Sequence, residues 1–351
     1  MGAPGQPESS GGDTRLAYRA MTDETRERVV VVSAADAAHA CPLAVMLRSV
    51  VDRLAPARHL EAHVIDGGLG EALRGRVEAS LPRERVTLYW HVPDPRRLVG
   101  LPLWGRMTLA TYNKLLAPEL VPLRVAKALW LDADVLAQSD LSDIWTVDLA
   151  SAPVLAAQDP VVGSVGARFG VAAWKELGLD PAAPYFNAGV LVMDLAQWRA
   201  ADIGVRAIEY VRRHWRRVYF WDQEGLNAVL AGRWAPLDPA WNWSPSLGAA
   251  GVLPRLVHFA GNLKPWRYRG RSRWHELYYA EVDRTGWRSW RPGPSPGSWL
   301  SSYGSSPLRR GLRPIERGYM AFMRWRTLRT AGASDLGRPI ERSDLRMFAG
   351  N

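Results

Sequence analysis

Two aspartates, Asp132 and Asp134, close an apolar run with only Ala133 between them. Six of the seven residues from Val125 to Leu131 are apolar, which reads as a buried β-strand, so the pair emerges at the strand's mouth. Like charges so close repel each other unless they are solvated at a turn or share a cation. Hard divalent ions such as Mn2+ or Mg2+ prefer oxygen ligands, and two carboxylates one residue apart can hold one, directly or through water. Taken alone, an Asp-x-Asp triplet fits a surface turn at least as well. A second block, "HFAGNLKPW" from 258 to 266, changes that balance. It offers His258 at the end of a strand candidate, Gly261 for close backbone approach, and Lys264 ahead of a rigid Pro-Trp. Cation ligands, an exposed backbone N–H and a point charge are the parts a metal-bridged diphosphate site needs.

The elements that would position these residues alternate. "VVVVSAAD", "EAHVIDGG", "RVTLYWHV" and "VAKALWLDAD" are strand candidates, and between them fall helical patterns such as Leu43, Val45, Met46, Val50 and Leu54, and the segment "TLATYNKLLAPEL". This order predicts a layered, mostly parallel α/β sheet, in which ligands bind beyond the carboxyl ends of the strands, where Asp36 and the Asp132/Asp134 pair emerge. Farther on, "FNAGVLVMDL" reads as a strand and "AQWRAADIGVRAIEYVRRHW" as one amphipathic helix. "FWDQEGLNAVLAGRW" reads as a loop entering a helix.

At 351 residues, 47% of them hydrophobic, the chain can bury a large core. The formal charge of +10 favours anionic partners. A single cysteine, Cys41, excludes an internal disulfide, fits a reducing compartment and reads as a buried, inert thiol. Three regions are expected: residues 1–27 as a disordered leader, 28–284 as a catalytic domain, and 285–351 as a Pro/Gly/Arg-rich extension. The leader lacks the apolar core of a signal peptide, and no run of ~18 uncharged apolar residues marks a membrane span, so cytoplasmic residence is expected. From Leu308 onward arginines interleave with Phe322, Met323 and Trp325, a basic amphipathic pattern suited to peripheral contact with anionic lipid at the inner membrane face. Nucleic acid is the less favoured partner for the same charge.

The blocks "AADAAHACPLAV", "TLATYNKL", "LWLDADVLAQSDLSDIW", "YFNAGVLVMDLAQWR", "WDQEGLN" and "HFAGNLKPW" occur in an order that resembles the retaining glycosyltransferases of family 8, the group of bacterial lipooligosaccharide galactosyltransferases and glycogenin. The resemblance spans roughly residues 28 to 270. It implies a GT-A fold, a Rossmann-like mixed sheet flanked by helices, here with a C-terminal basic helical extension. It also implies a UDP-hexose donor, glucose or galactose, and Mn2+ (or Mg2+) held by Asp132, Asp134 and His258. Donor contacts fall by resemblance to Ala34, Asp36, His39, Lys114, Asp132, Ala133, Asp134, Gly261 and Lys264, and the reaction centre to Asn187, Asp222 and Gln223. Lys114 stands where the family commonly has an arginine, a point charge in place of a planar fork. Ala38 and His39 replace an Asn and an aromatic usual beside the base, so UDP is favoured with dTDP open.

Retention of configuration allows two routes: covalent catalysis by a carboxylate such as Asp222 or Glu224, or acceptor attack on the same face as the departing diphosphate, which is favoured because an amide at Gln223 is a poor nucleophile. Rival readings are a non-catalytic nucleotide-sugar-binding scaffold, a haloacid-dehalogenase-type phosphohydrolase, and a basic nucleic-acid or membrane binder. The phosphohydrolase fits poorly, since three strand candidates precede the aspartates and the histidine-lysine block would have no role. A saccharide, a lipid-linked sugar or a natural product are all open as acceptor, and no motif fixes the oligomeric state.

Overall fold

The computed structural model describes residues 27–103, 107–248, 251–261 and 264–293. Among these residues the strands are β1 (Glu27–Ala35), β2 (Arg58–Asp66), β3 (Val86–His91), β4 (Lys127–Leu131), β5 (Val135–Ala137), β6 (Val154–Gln158), β7 (Phe186–Asp194), β8 (Ala235–Pro236) and β9 (Leu256–His258). The helices are α1 (Ala40–Arg53), α2 (Glu71–Glu78), α3 (Asn113–Leu120), α4 (Ser142–Thr146), α5 (Leu195–Ala200), α6 (Ile203–Arg213), α7 (Trp221–Leu230) and α8 (Arg273–Val282).

A seven-stranded sheet runs in the order β3-β2-β1-β4-β7-β6-β8, and β5 pairs with β9 in a separate two-stranded sheet. Strands β3, β2, β1 and β4 are parallel, as the apolar runs predict, whereas β7 lies antiparallel to both of its neighbours. Direction could not be read in β7 because seven of its nine residues are buried, and a strand covered on both faces carries no alternation to decode. Its start nevertheless meets the carboxyl end of β4: Leu131 pairs with Val190, and the Asp132 N–H donates to the Gly189 carbonyl at 2.9 Å. One rim thus gathers the ends of β1 and β4 and the beginning of β7.

Each face of the sheet packs its own layer. Val29, Val31, Leu60, Val64, Leu129 and Val192 meet α1, α2, α8 and the β5–β9 pair. Val30, Val32, Ile65, Trp130, Leu191 and Met193 meet α3, α5, α6 and α7. The single helix expected over 196–215 is two, broken at Asp202, whose left-handed backbone (φ 49°) turns the chain. The turn lets α6 press Gly204 onto α3, where an added Cβ would stand 2.0 Å from the Leu115 carbonyl oxygen. Packing also continues past residue 284: Thr285 and Trp287 are buried, and Arg291 pairs with Asp283 at 2.7 Å. The leader up to residue 26 and the basic segment from 308 lie outside the described residues. Among the described residues no helix is long and apolar enough to cross a membrane.

Candidate active site

At the rim, Asp132 leaves β4 and Asp134 enters β5, while His258 closes β9. The β5–β9 ladder sets Val135 opposite His258, and the Phe259 N–H donates to the Asp134 carbonyl at 3.0 Å. Two segments distant in sequence are thereby zipped together, and ligand atoms of Asp132, Asp134 and His258 all lie within 4.8 Å of one another. Gly189 makes the approach possible, since a Cβ there would sit 2.2 Å from the His258 ring. Two carboxylate oxygens and one imidazole nitrogen form a donor set that suits Mn2+.

Cations already surround the acids. Lys264 Nζ contacts Asp134 and donates to the Phe259 carbonyl at 2.7 Å, and His258 Nε2 lies 3.3 Å from Asp134 Oδ1. Burial would raise the Asp134 pKa, but Lys264 and His258 outweigh it and hold the carboxyl below the ordinary range. Asp132 goes the other way: enclosure, together with the Asp134 charge, raises it against the pull of Lys114. Lys114, 3% exposed, sits beneath both acids, 2.9 Å from Asp222 and 3.2 Å from Asp132. Burial alone would lower its pKa, yet the two carboxylates raise it, so it stays charged. Trp130 Nε1 adds a 2.7 Å hydrogen bond to Asp132.

Helix α7 brings Asp222 and Gln223 in. Trp221 starts it at φ 40°, a left-handed conformation uncommon for a bulky residue and costing on the order of 1–3 kcal/mol. The kink delivers Asp222 to Lys114 and to Thr111 Oγ1, which donates at 2.9 Å. Gln223 accepts from the Ala188 N–H at 3.0 Å and donates to Asp159 at 3.1 Å, and Asn187 donates to the same Asp159 oxygen at 3.0 Å. Glu224 is sealed off from the site. It is fully buried and accepts from Tyr210 and from the Ala172 and Tyr219 amides, and burial raises its pKa. Its carboxylate therefore cannot reach a donor sugar as a nucleophile.

A second polar cluster lies at the tip of β1. Asp36 accepts from the His39 amide at 3.1 Å, from the His39 ring at 2.7 Å and from Thr108 at 2.7 Å. Burial raises the Asp36 pKa, but these partners outweigh it and lower the carboxyl. The His39 ring stands edge-on to Trp266 at 6.0 Å, and Lys264 lies 5.6 Å from the same indole, joining the tip of β1 to the acid cluster. Ala34 is half-buried beside Asp36, and Ala133 is buried between the two acids. Gly261 is exposed, with a positive φ of 89° that a side chain would strain. Asp159, Asn242, Thr108, Thr111 and Gly189 are site residues the sequence reading did not single out. Gly189 lies inside "FNAGV" and Thr108 and Thr111 inside "TLATYNKL", whereas Asp159 and Asn242 fall in none of the quoted blocks.

Fold and site together define a glycosyltransferase of GT-A architecture. The chain belongs to glycosyl transferase family 8, whose family model matches residues 30–270, a family of retaining hexosyltransferases. It is 26% identical over 278 residues to General stress protein A of Bacillus subtilis (strain 168), covering 74% of this chain and 94% of that protein. It is 24% identical over 231 residues to the lipopolysaccharide 1,3-galactosyltransferase of Salmonella typhimurium, covering 61% of this chain and 66% of that protein. Among solved structures it is similar to the galactosyltransferase LgtC in complex with donor and acceptor sugar analogs, at 27% identity and a TM-score of 0.64, covering 73% of this chain and 96% of that one. The family and enzyme class expected from the ordered blocks are thereby shown.

Proposed function

We propose that this enzyme transfers a hexose, glucose or galactose, with retention, from a UDP-sugar to a saccharide, lipid-linked or natural-product acceptor, using Mn2+ (or Mg2+). The observation that carries the reading is the convergence of Asp132, Asp134 and His258 within reach of one ion, at the rim where α/β sheets bind ligands. Such an ion supplies Lewis-acid stabilisation of the charge that develops on a leaving diphosphate.

The chain's own groups supply the rest. Lys264 uses two of its three N–H donors on Asp134 and Phe259, which leaves one for a phosphate oxygen. The Gly261 backbone can approach the same group closely, with no described residue within 4 Å of where a Cβ would stand. Lys114 is buried under Asp132 and Asp222, so in this role it neutralises and orients the two acids from beneath. Asp36, His39 and Ala34 line the base end, where a uracil is the favoured occupant. Asn187, Gln223 and Asp222 line the sugar end. Both Asp222 oxygens already hold partners, one Thr111 and the other Lys114, and Glu224 is out of reach; this supports same-face attack over a covalent carboxylate intermediate. The donor's own departing phosphate is then the proton acceptor.

The test is Asp134→Ala assayed against UDP-glucose and UDP-galactose with Mn2+. Turnover is expected to fall by about 10³-fold or more, the scale of losing several kcal/mol of electrostatic stabilisation, while circular dichroism stays that of the folded protein. Retained turnover in that variant removes the reading.

A further inference from the structure

We propose that Asn242 is a positioning residue that fixes the ring proton of His258 on Nδ1, and that the direction of this hydrogen bond is set from Asp159 through Asn187. Four side chains form one continuous chain of bonds. His258 Nδ1 meets Asn242 Oδ1 at 2.8 Å, Asn242 Nδ2 donates to Asn187 Oδ1 at 2.9 Å, and Asn187 Nδ2 donates to Asp159 Oδ2 at 3.0 Å.

The polarity follows from the carboxylate end. An ionised carboxylate only accepts, so Asn187 must turn its NH2 to Asp159. Its carbonyl oxygen then faces away, where it also accepts from the Gly189 N–H at 3.0 Å. Asn242 must therefore present its NH2 to Asn187 and its oxygen to His258. An oxygen facing Nδ1 requires the proton there, so Nε2 is the ring nitrogen turned to Asp132 and Asp134, 3.3 Å from Asp134 Oδ1. Asp159 is itself pinned, because its other oxygen accepts from the Val161 and Val162 amides at 2.8 and 3.0 Å. Gln223 Nε2 donates to the same Asp159 oxygen as Asn187, so one carboxylate orients both the sugar-side amides and the ring at the acid cluster.

Local backbone pairing holds Asn242 in place. It ends a short 3-10 turn, Pro239–Asn242, capped by Asp238, and the next residue bridges to β9: the His258 N–H donates to the Trp243 carbonyl at 2.8 Å. The purpose of the device depends on the cation-binding role proposed above for His258; the hydrogen-bond polarity itself does not. Outer partners of ligating histidines fix the tautomer and ring orientation, and losing them costs ~10–100-fold in metal affinity.

The experiment is long-range 1H–15N correlation on protein labelled with 15N-histidine, without metal, followed as the pH is raised until the His258 ring gives the signals of its neutral form. The His258 signals are assigned by their loss in His258→Gln. The unaltered protein is expected to show the Nδ1–H tautomer. Asn242→Ala should give a tautomer mixture and bind Mn2+ ~10–100-fold more weakly by electron paramagnetic resonance titration. Asn242→Asp, which still offers an acceptor, should restore the Nδ1–H form, a rescue that a purely structural role would not produce. An Nε2–H tautomer in the unaltered protein overturns the proposal, as does Asn242→Ala with an unchanged tautomer. If the unaltered protein shows Nδ1–H but binds no Mn2+, the metal reading of the site fails while the tautomer assignment is upheld.

Discussion

Two acid-centred clusters sit on the same sheet and differ in what their lone pairs face. Around Glu61, on the outer β2–β3 pair, every oxygen has its own donor: Arg28 at 3.1 Å on one, and His63 at 2.9 Å and Arg124 at 2.8 Å on the other. His63 continues to His91 at 2.8 Å and stacks on Tyr89. The hydrogen bond from His63, working against burial, draws the Glu61 pKa down to about 2. Around Asp134 the pKa is depressed as well, yet there two carboxylates and an imidazole nitrogen converge on one small volume. Burial and perturbed titration mark both clusters, so neither separates chemistry from architecture. The arrangement of acceptors does: Glu61 has both oxygens satisfied by three separate donors, whereas two carboxylates and an imidazole crowd together at Asp134.

Gly189→Ala attacks the crowding directly. A methyl group there would occupy the His258 ring position, so the ring must swing out, and kcat/KM and Mn2+ affinity are each expected to fall by about 10²-fold, the usual cost of displacing a ligand or reacting group by an ångström. Full activity in that variant would show that the ligand geometry does not matter. Glu61→Gln is the counterpart. It should cost on the order of 1–3 kcal/mol of stability in urea unfolding, from weakened charge-assisted bonds, and leave turnover unchanged; lost turnover with intact stability would erase the contrast. The smallest effect lies in acid. Because the folded pKa of Glu61 is depressed below its unfolded value of ~4.3, its contribution is present above that value and is lost as pH falls toward about 2. The stability gap between the unaltered protein and Glu61→Gln should therefore close over that window in pH-dependent urea titrations.

Much of this organisation was legible because it obeys local rules. The apolar runs of β1, β2, β3 and β4 declared themselves, and Asp132, Asp134, His258 and Lys264 could be named because each closes or follows such a run. Asn242 and Asp159 could not. Both lie in short connecting segments, "PAWN" and "QDPV", where Asn, Asp and Pro ordinarily make turns. Their importance arises from the pairing of residue 243 with β9 and from the bend that follows β6, contacts no periodicity encodes. The break at Asp202 was hidden for a similar reason: "AQWRAADIGVRAIEYVRRHW" has continuous helical patterning, and the interruption answers to the close seat of Gly204 on α3.

The β5–β9 ladder has a consequence for how the molecule comes into being. During synthesis the aspartates emerge from the ribosome well before the histidine that joins them, and Val135 can zip to His258 only after the intervening chain has been made and folded back, a long-range closure that topology makes slow. A nascent or interrupted polypeptide that stops short of β9 thus carries Asp132 and Asp134 without His258, and the three groups come together only when β9 has paired.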